Sequence, residues 1–252
     1  MKKFLFLLFI VVSFGFVGYS QTNSFNYDVN GDGNVTVADV TAIYNYLLIG
    51  DDAHEYVDLA LPSGTMWATM NIGASSPEEY GDYFAWGETT PKGYYDWGTY
   101  KWCNNGDAGM LTKYCTSSSS GYNGFTDGKT ELDPEDDAAT ANWGSEWRTP
   151  SLDQIQELID NCTIEWTTKN GVNGRLFTSN INGASLFFPA AGYRWSSGLY
   201  DTSTDGYYWS RTLYTSYLKN ACCLYFRSGS VGNHNVNRMM GLSVRAVLVT
   251  LK

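Results

Sequence analysis

Twelve residues near the N-terminus, Asp28 to Asp39 (DVNGDGNVTVAD), place oxygen donors at fixed intervals. Asp28, Asn30 and Asp32 occupy positions one, three and five, and Gly33 sits at six, where such a loop must turn sharply. The carbonyl of Asn34 falls at seven, Thr36 at nine and a closing carboxylate, Asp39, at twelve. A hard cation needs six or more oxygens converging on one point, and this alternation aims them inward, so the cofactor expected is calcium. Downstream, Val37, Val40, Tyr44, Leu47 and Leu48 recur at helical spacing, and Gly50 can end the helix they predict.

The spacing is that of an EF-hand loop. With aspartate at position twelve and an exit helix behind it, the segment resembles one repeat of a type I dockerin. That resemblance implies a cohesin-like partner and an accessory role in a polysaccharide-degrading system. Dockerins carry two such repeats; residues 21–52 hold one.

A second group of chemically versatile residues lies near the other end, between Tyr225 and Arg245 (YFRSGSVGNHNVNRMMGLSVR). Its ends read as strand, and its middle mixes small, polar, aromatic and thioether side chains with no amphipathic period. Tyr, Arg, Asn and Ser in such a stretch suit recognition, because they combine rigid amphipathic area with adaptable hydrogen bonding.

Composition narrows the partners. The chain has 252 residues with 16 basic and 26 acidic side chains, a net charge of −10. An acidic surface repels phosphate backbones and anionic lipid, which argues against nucleic acid. Residues 1–20 read as a signal peptide: Lys2 and Lys3, an apolar run from Phe4 to Val17, then Gly18-Tyr19-Ser20 before Gln21. That run is short of the roughly 20 residues a span needs. The expectation is an exported chain (periplasmic, cell-surface or extracellular) with no membrane span after cleavage. Five cysteines (Cys103, Cys115, Cys162, Cys222 and Cys223) match no metal spacing. Cys103 and Cys115 could staple a loop, and each cysteine could equally be a small half-buried apolar residue.

These groups must be positioned by the region from Tyr56 onward. "YVDLALPSGTMWATMNIG" predicts two short strands about Pro62-Ser63-Gly64. Residues 104–146 are rich in Gly, Ser, Asn and acid, a functional or disordered loop. "TPSLDQIQELIDNC" predicts a helix, with Ser151 and Gln154 as a capping box and Leu152, Ile155, Leu158, Ile159 and Cys162 as the buried stripe. Strands are expected in "GRLFTS", "SLFFPAAGYR", "YYWSRTLY", "ACCLYFRS" and "GLSVRAVLV". The fold class is α+β with a large irregular fraction.

"LDPEDDAATANWGSEWRTPSLDQIQELI", "LFFPAAGYR", "YYWSRTLYTS" and "GLSVRAV" resemble the Fibrobacter succinogenes major paralogous domain over residues 56–252. That family occurs in exported proteins of Bacteroidetes and related bacteria. The resemblance implies a C-type-lectin-like fold, akin to variable proteins of diversity-generating retroelements, in which first and last strands pair and the C-terminal loops carry the ligand surface. On that basis Trp209, Ser210, Leu213, Ala221, Leu224, Phe226, Gly229, Val231, Arg238, Gly241, Val244 and Arg245 are framework. The candidate ligand residues are Arg211, Tyr214, Tyr217, Lys219, Tyr225, Arg227, Asn233, His234, Asn235, Asn237, Met239 and Met240, facing an unidentified protein or glycan. Between framework positions also lie Asn220, Cys222, Cys223, Ser230 and Gly232. Adenine-directed mutagenesis and ordinary loop divergence both account for this variety.

Catalysis is not expected. The chain has two histidines, His54 and His234, and no Ser-His-acid or Cys-His set is evident. The acidic "LDPEDD" reads as a solvated loop or a second cation site, and the vicinal Cys222-Cys223 does not suit formylglycine-generating chemistry. The signatures of a calcium-dependent sugar lectin are absent.

Overall fold

The computed structural model describes Thr36 and residues 54–248. The chain divides into units at residues 1–53 and 54–252. The expected leader, calcium loop and exit helix lie outside the described residues, except for Thr36, which is exposed.

In the second unit, β1 (Tyr56–Asp58) and β2 (Met66–Ala68) form an antiparallel hairpin. Between them, Gly64 turns the chain at φ 72° and donates to Leu61 O at 2.8 Å. The last strand, β12 (Val247–Leu248), lies between β2 and β3 (Trp147–Arg148). Among the described residues of "GLSVRAVLV" these two join that sheet; Gly241, Leu242 and Ser243 make isolated bridges instead.

A short helix, α1 (Ala138–Trp143), starts at Asp137, whose carboxylate accepts from the amides of Ala139 and Thr140. The longer α2 (Leu152–Asn161) has the expected capping box: Ser151 accepts from Gln154 N, and the Gln154 side chain accepts from Ser151 N. Ile155, Leu158 and Cys162 are buried as the stripe requires, while Leu152 and Ile159 are half-buried. Three antiparallel strands follow, β4 (Cys162–Lys169), β5 (Val172–Ser179) and β6 (Ser185–Pro189). A small hairpin pairs β7 (Tyr193–Trp195) with β8 (Gly198–Tyr200). Finally β9 (Asp205–Leu213), β10 (Asn220–Arg227) and β11 (Ser230–Asn237) form a sheet in the order β11-β10-β9. The fold is α+β and mainly β among the described residues.

Two core clusters meet across β9 and β10. Tyr208, Leu224 and Phe226 pack toward α2 and β5–β6 with Ile155, Leu158, Phe177 and Phe188. Trp209, Ala221 and Cys223 pack the other way with Phe84, Trp86, Tyr114 and Ala246. The run Ala221–Leu224 is buried on both faces, which is why it reads as continuous apolar sequence rather than alternation. Trp67, Trp86, Trp147 and Trp209 are all core. Two indoles anchor carbonyls across the core: Trp86 Nε1 donates to Ser210 O at 2.8 Å and Trp209 Nε1 to Phe84 O at 2.7 Å.

Several expectations need correction. The stretch 104–146 is an ordered succession of turns, bridges and short helices. All five cysteines are free, and the Cys103–Cys115 staple is not formed; Cys103 Sγ donates to Trp97 O and Cys115 Sγ to Ser117 O. The acidic run is solvated only in part, because Asp136 and Asp137 are buried while Glu135 is exposed. Asp133, Glu135 and Asp136 surround the Lys113 ammonium at 2.7, 3.6 and 2.5 Å. Lysine thus supplies the positive charge that the carboxylates require.

Candidate functional site

The patternless middle of the tail is strand β11, not a loop. It pairs with β10 in unbroken register from Asn220↔Asn237 to Arg227↔Ser230. Nothing pairs with its other side among the described residues, so it is held by backbone hydrogen bonding to β10, with Val231 and Val236 half-buried against the two core clusters. An edge strand of that kind has no need of an amphipathic sequence.

The register decides which candidate residues share a face. Opposed residues in an antiparallel pair point the same way, and neighbours along a strand alternate. Tyr207, Tyr225 and Gly232 are opposed across β9, β10 and β11, and His234 lies two residues beyond Gly232. Leu224 and Phe226 are buried beneath while Tyr225 is half-buried and Arg227 exposed, as the alternation predicts. The ring of Tyr225 lies 4.8 Å from that of Tyr207 and 5.6 Å from that of His234. Its hydroxyl donates to Asp205 Oδ1 at 2.7 Å.

The other candidates do not join this group. Asn233 and Asn235 point to the opposite face, where Asn233 Nδ2 donates to Gln156 Oε1 of α2 at 2.7 Å and Asn235 Oδ1 accepts from Asn220. Arg211 is committed to structure: Nε meets Glu131 Oε2 at 3.0 Å, and one terminal nitrogen donates to Gln154 Oε1 and Thr149 O. Tyr214, Tyr217 and Lys219 sit at the β9–β10 turn, the end of the sheet away from Arg227, about 20 Å distant at strand rise; Tyr217 is exposed there. Asn237 and Met240 are half-buried at the end of β11. Met239 is a misassignment, because its side chain is buried with Tyr83, Ala85, Tyr95 and Tyr100. Cys222 and Cys223, also placed between framework positions, are buried in the central strand.

Four aromatic residues absent from the sequence-based set extend the Tyr225 group. Tyr207 meets Tyr193 of β7 at 5.3 Å, Tyr193 stacks on Tyr200 of β8 at 5.6 Å, and Tyr200 lies 6.4 Å from Trp195. Tyr193↔Tyr200 and Trp195↔Gly198 are opposed pairs of the hairpin. A side chain at Gly198 would collide with the Tyr200 ring, 2.6 Å from an added Cβ, so glycine lets that ring lie across the hairpin. The alternation Y-R-W before a Ser-Ser-Gly turn is the sequence signal that would have found Tyr193 and Trp195.

Burial, then the neighbouring Tyr225 and Asp205, raise the Tyr207 phenol above its ordinary value. Burial and the hydrogen bond to Asp205 raise Tyr225, and burial with nearby Asp201 raises Tyr193. All three remain neutral hydroxyls at neutral pH.

Comparison with known proteins finds a likeness in the N-terminal segment. Residues 23–60 match the dockerin type I domain family. The dockerin match contains the whole Asp28–Asp39 loop and runs on through β1 into the second unit's first strand pair. The six candidate calcium ligands all fall within the dockerin segment, and all but Thr36 lie outside the described residues. No curated protein and no solved structure matches the chain.

Proposed function

We propose that this protein is an exported, non-catalytic recognition component that attaches through its dockerin-type segment to a cohesin-like partner and presents its β9–β11 sheet to a protein or glycan target. The dockerin match over residues 23–60 carries this reading, because it coincides with the calcium-type donor spacing. The donors are hard oxygens throughout: side chains of Asp28, Asn30, Asp32, Thr36 and Asp39, with the carbonyl of Asn34. They suit calcium, which when bound would fix the loop and so orient the segment for docking. An accessory place in a polysaccharide-degrading system follows from such attachment.

For the second unit we propose a C-type-lectin-like fold of the major paralogous kind. Support comes from the last strand, which returns beside β2 of the opening hairpin, and from the buried framework arginines. Arg245 donates to Asn71 Oδ1 and to the carbonyls of Ala68 and Thr69, and Arg238 lies over Trp86 and Tyr100.

The experiment is a pull-down of the full chain on immobilised type I cohesin, with calcium and with chelator. Retention only with calcium, and its loss in Asp28→Ala/Asp39→Ala, is the expected outcome. Equal behaviour in calcium and chelator, or no retention in either, would overturn the docking role.

A further inference from the structure

Six aromatic residues, Trp195, Tyr200, Tyr193, Tyr207, Tyr225 and His234, form one continuous chain of ring contacts. Its five steps are 6.4, 5.6, 5.3, 4.8 and 5.6 Å between centroids. The chain crosses two separate sheets, β7–β8 and β9–β11, with one ring from each strand except β7, which gives two. Its ends are open: Trp195 is 51% and Tyr200 43% exposed, and His234 is exposed. The middle rings, Tyr193 and Tyr207, rest partly on the core, which holds them in place. Beside Tyr225, Gly232 leaves open space where a side chain would stand, with nothing within 4 Å of an added Cβ.

Contiguous exposed aromatic surface is uncommon on a soluble protein unless something binds there. The shape and charge of this strip define its occupant. It is one ring wide and several rings long, which fits a narrow linear chain better than the broad apolar patch of a protein interface. All six of its members carry a hydroxyl or ring nitrogen able to hydrogen-bond beside a π face. Its fixed charges are few: Asp201 lies near Tyr193 and Tyr207, and Asp205, opposed to Arg227 across β9–β10, already accepts through both oxygens, from Tyr225 and Thr204. Among the described residues no row of lysines or arginines flanks the rings, which a nucleic acid or polyuronate would require.

We infer that the strip from Trp195 to His234 binds a neutral, linear glycan, whose C–H faces rest on the rings while its hydroxyls meet the phenols, Arg227 and His234. The inference rests on the recognition role of the β9–β11 face proposed above and assigns its ligand class. Calcium takes no part in it, since no strip residue belongs to the Asp28–Asp39 loop.

The test is affinity electrophoresis of the full chain in gels containing a neutral β-glucan, xylan or mannan, with polygalacturonate and polylysine as charged controls, each with and without chelator. Retardation by at least one neutral polysaccharide, unchanged by chelator, is expected. Trp195→Ala/Tyr225→Ala should weaken it about tenfold or more. Gly232→Leu, which removes no ring and fills open space, should weaken it too while the thermal midpoint stays unchanged. Retardation by none of the neutral polysaccharides would overturn the inference, as would retardation indifferent to both variants. Retardation by polylysine alone, lost in the variants, would also overturn the glycan assignment while sparing the recognition role of the face. Cohesin docking is read separately, by its calcium dependence.

Discussion

The two faces of the β9–β11 sheet are built from the same residue types on the same strands, one position apart. On the α2 side, Tyr208 stacks on Phe226 and meets Phe188, and the cluster is sealed. On the other side, near Asp205 and Arg227, Tyr207, Tyr225 and His234 make similar ring contacts at similar distances, yet Tyr207 and Tyr225 are only half-buried and His234 is exposed. The phenols show the difference: Tyr208 donates to Pro189 O at 2.6 Å inside the core, whereas Tyr225 donates to a carboxylate at the rim. Aromatic residues alone therefore do not distinguish core from surface; the depth of their burial does.

The largest effect expected on breaking this comparison is at Phe226. Phe226→Ala leaves a cavity in the sealed face and should cost about 3–5 kcal/mol in urea unfolding. A loss under about 1 kcal/mol would mean that the α2 face is not the tighter one.

A smaller effect separates the phenols. Burial raises the Tyr208 hydroxyl far above its ordinary value of 10.0, and Tyr225 is also raised. A folded-state pKa above the unfolded one contributes stability that is complete below pH 10 and declines as pH rises beyond it. Tyr208→Phe should cost about 1 kcal/mol at neutral pH through its lost hydrogen bond, and should flatten the alkaline decline in thermal midpoint more than Tyr225→Phe does. A greater flattening with Tyr225→Phe would reverse the assignment of open and sealed faces.

The smallest effect is at the open end. Trp195→Ala should change stability by no more than about 0.5 kcal/mol, because the ring is half-exposed and its neighbour Tyr200 is exposed as well.

The sealed face was largely legible in the sequence. Leu224 and Phe226 alternate with Tyr225 and Arg227, and α2 announces itself through Ser151, Gln154 and its apolar stripe. The hairpin about Pro62-Ser63-Gly64 and the calcium-type spacing were equally readable, since turn and ligand chemistry are local. The open face was only half legible. β11 owes its conformation to pairing with β10, so Ser230–Asn237 needs no periodicity of its own. Met239 is drawn into the core by the turn after Asn237, where Met240 N donates to Asn237 O at 3.0 Å. Tyr193, Trp195 and Tyr200 come within reach of Tyr207 through long-range ties that no local pattern encodes, among them the isolated bridges Gly192–Gly206, Arg194–Gly241 and Tyr95–Ser196.

The most direct test of the account joins both ends of the chain in one measurement. Cohesin-coated beads loaded with the full protein in calcium are exposed to a fluorescent neutral β-glucan, xylan or mannan, and retained label is read before and after chelator. The account predicts that at least one glycan is held through the protein, that chelator releases protein and glycan together, and that Trp195→Ala/Tyr225→Ala keeps the protein on the beads but loses the glycan. Beads that hold the wild-type protein yet retain no glycan, or that retain equal glycan with the double variant, would contradict it.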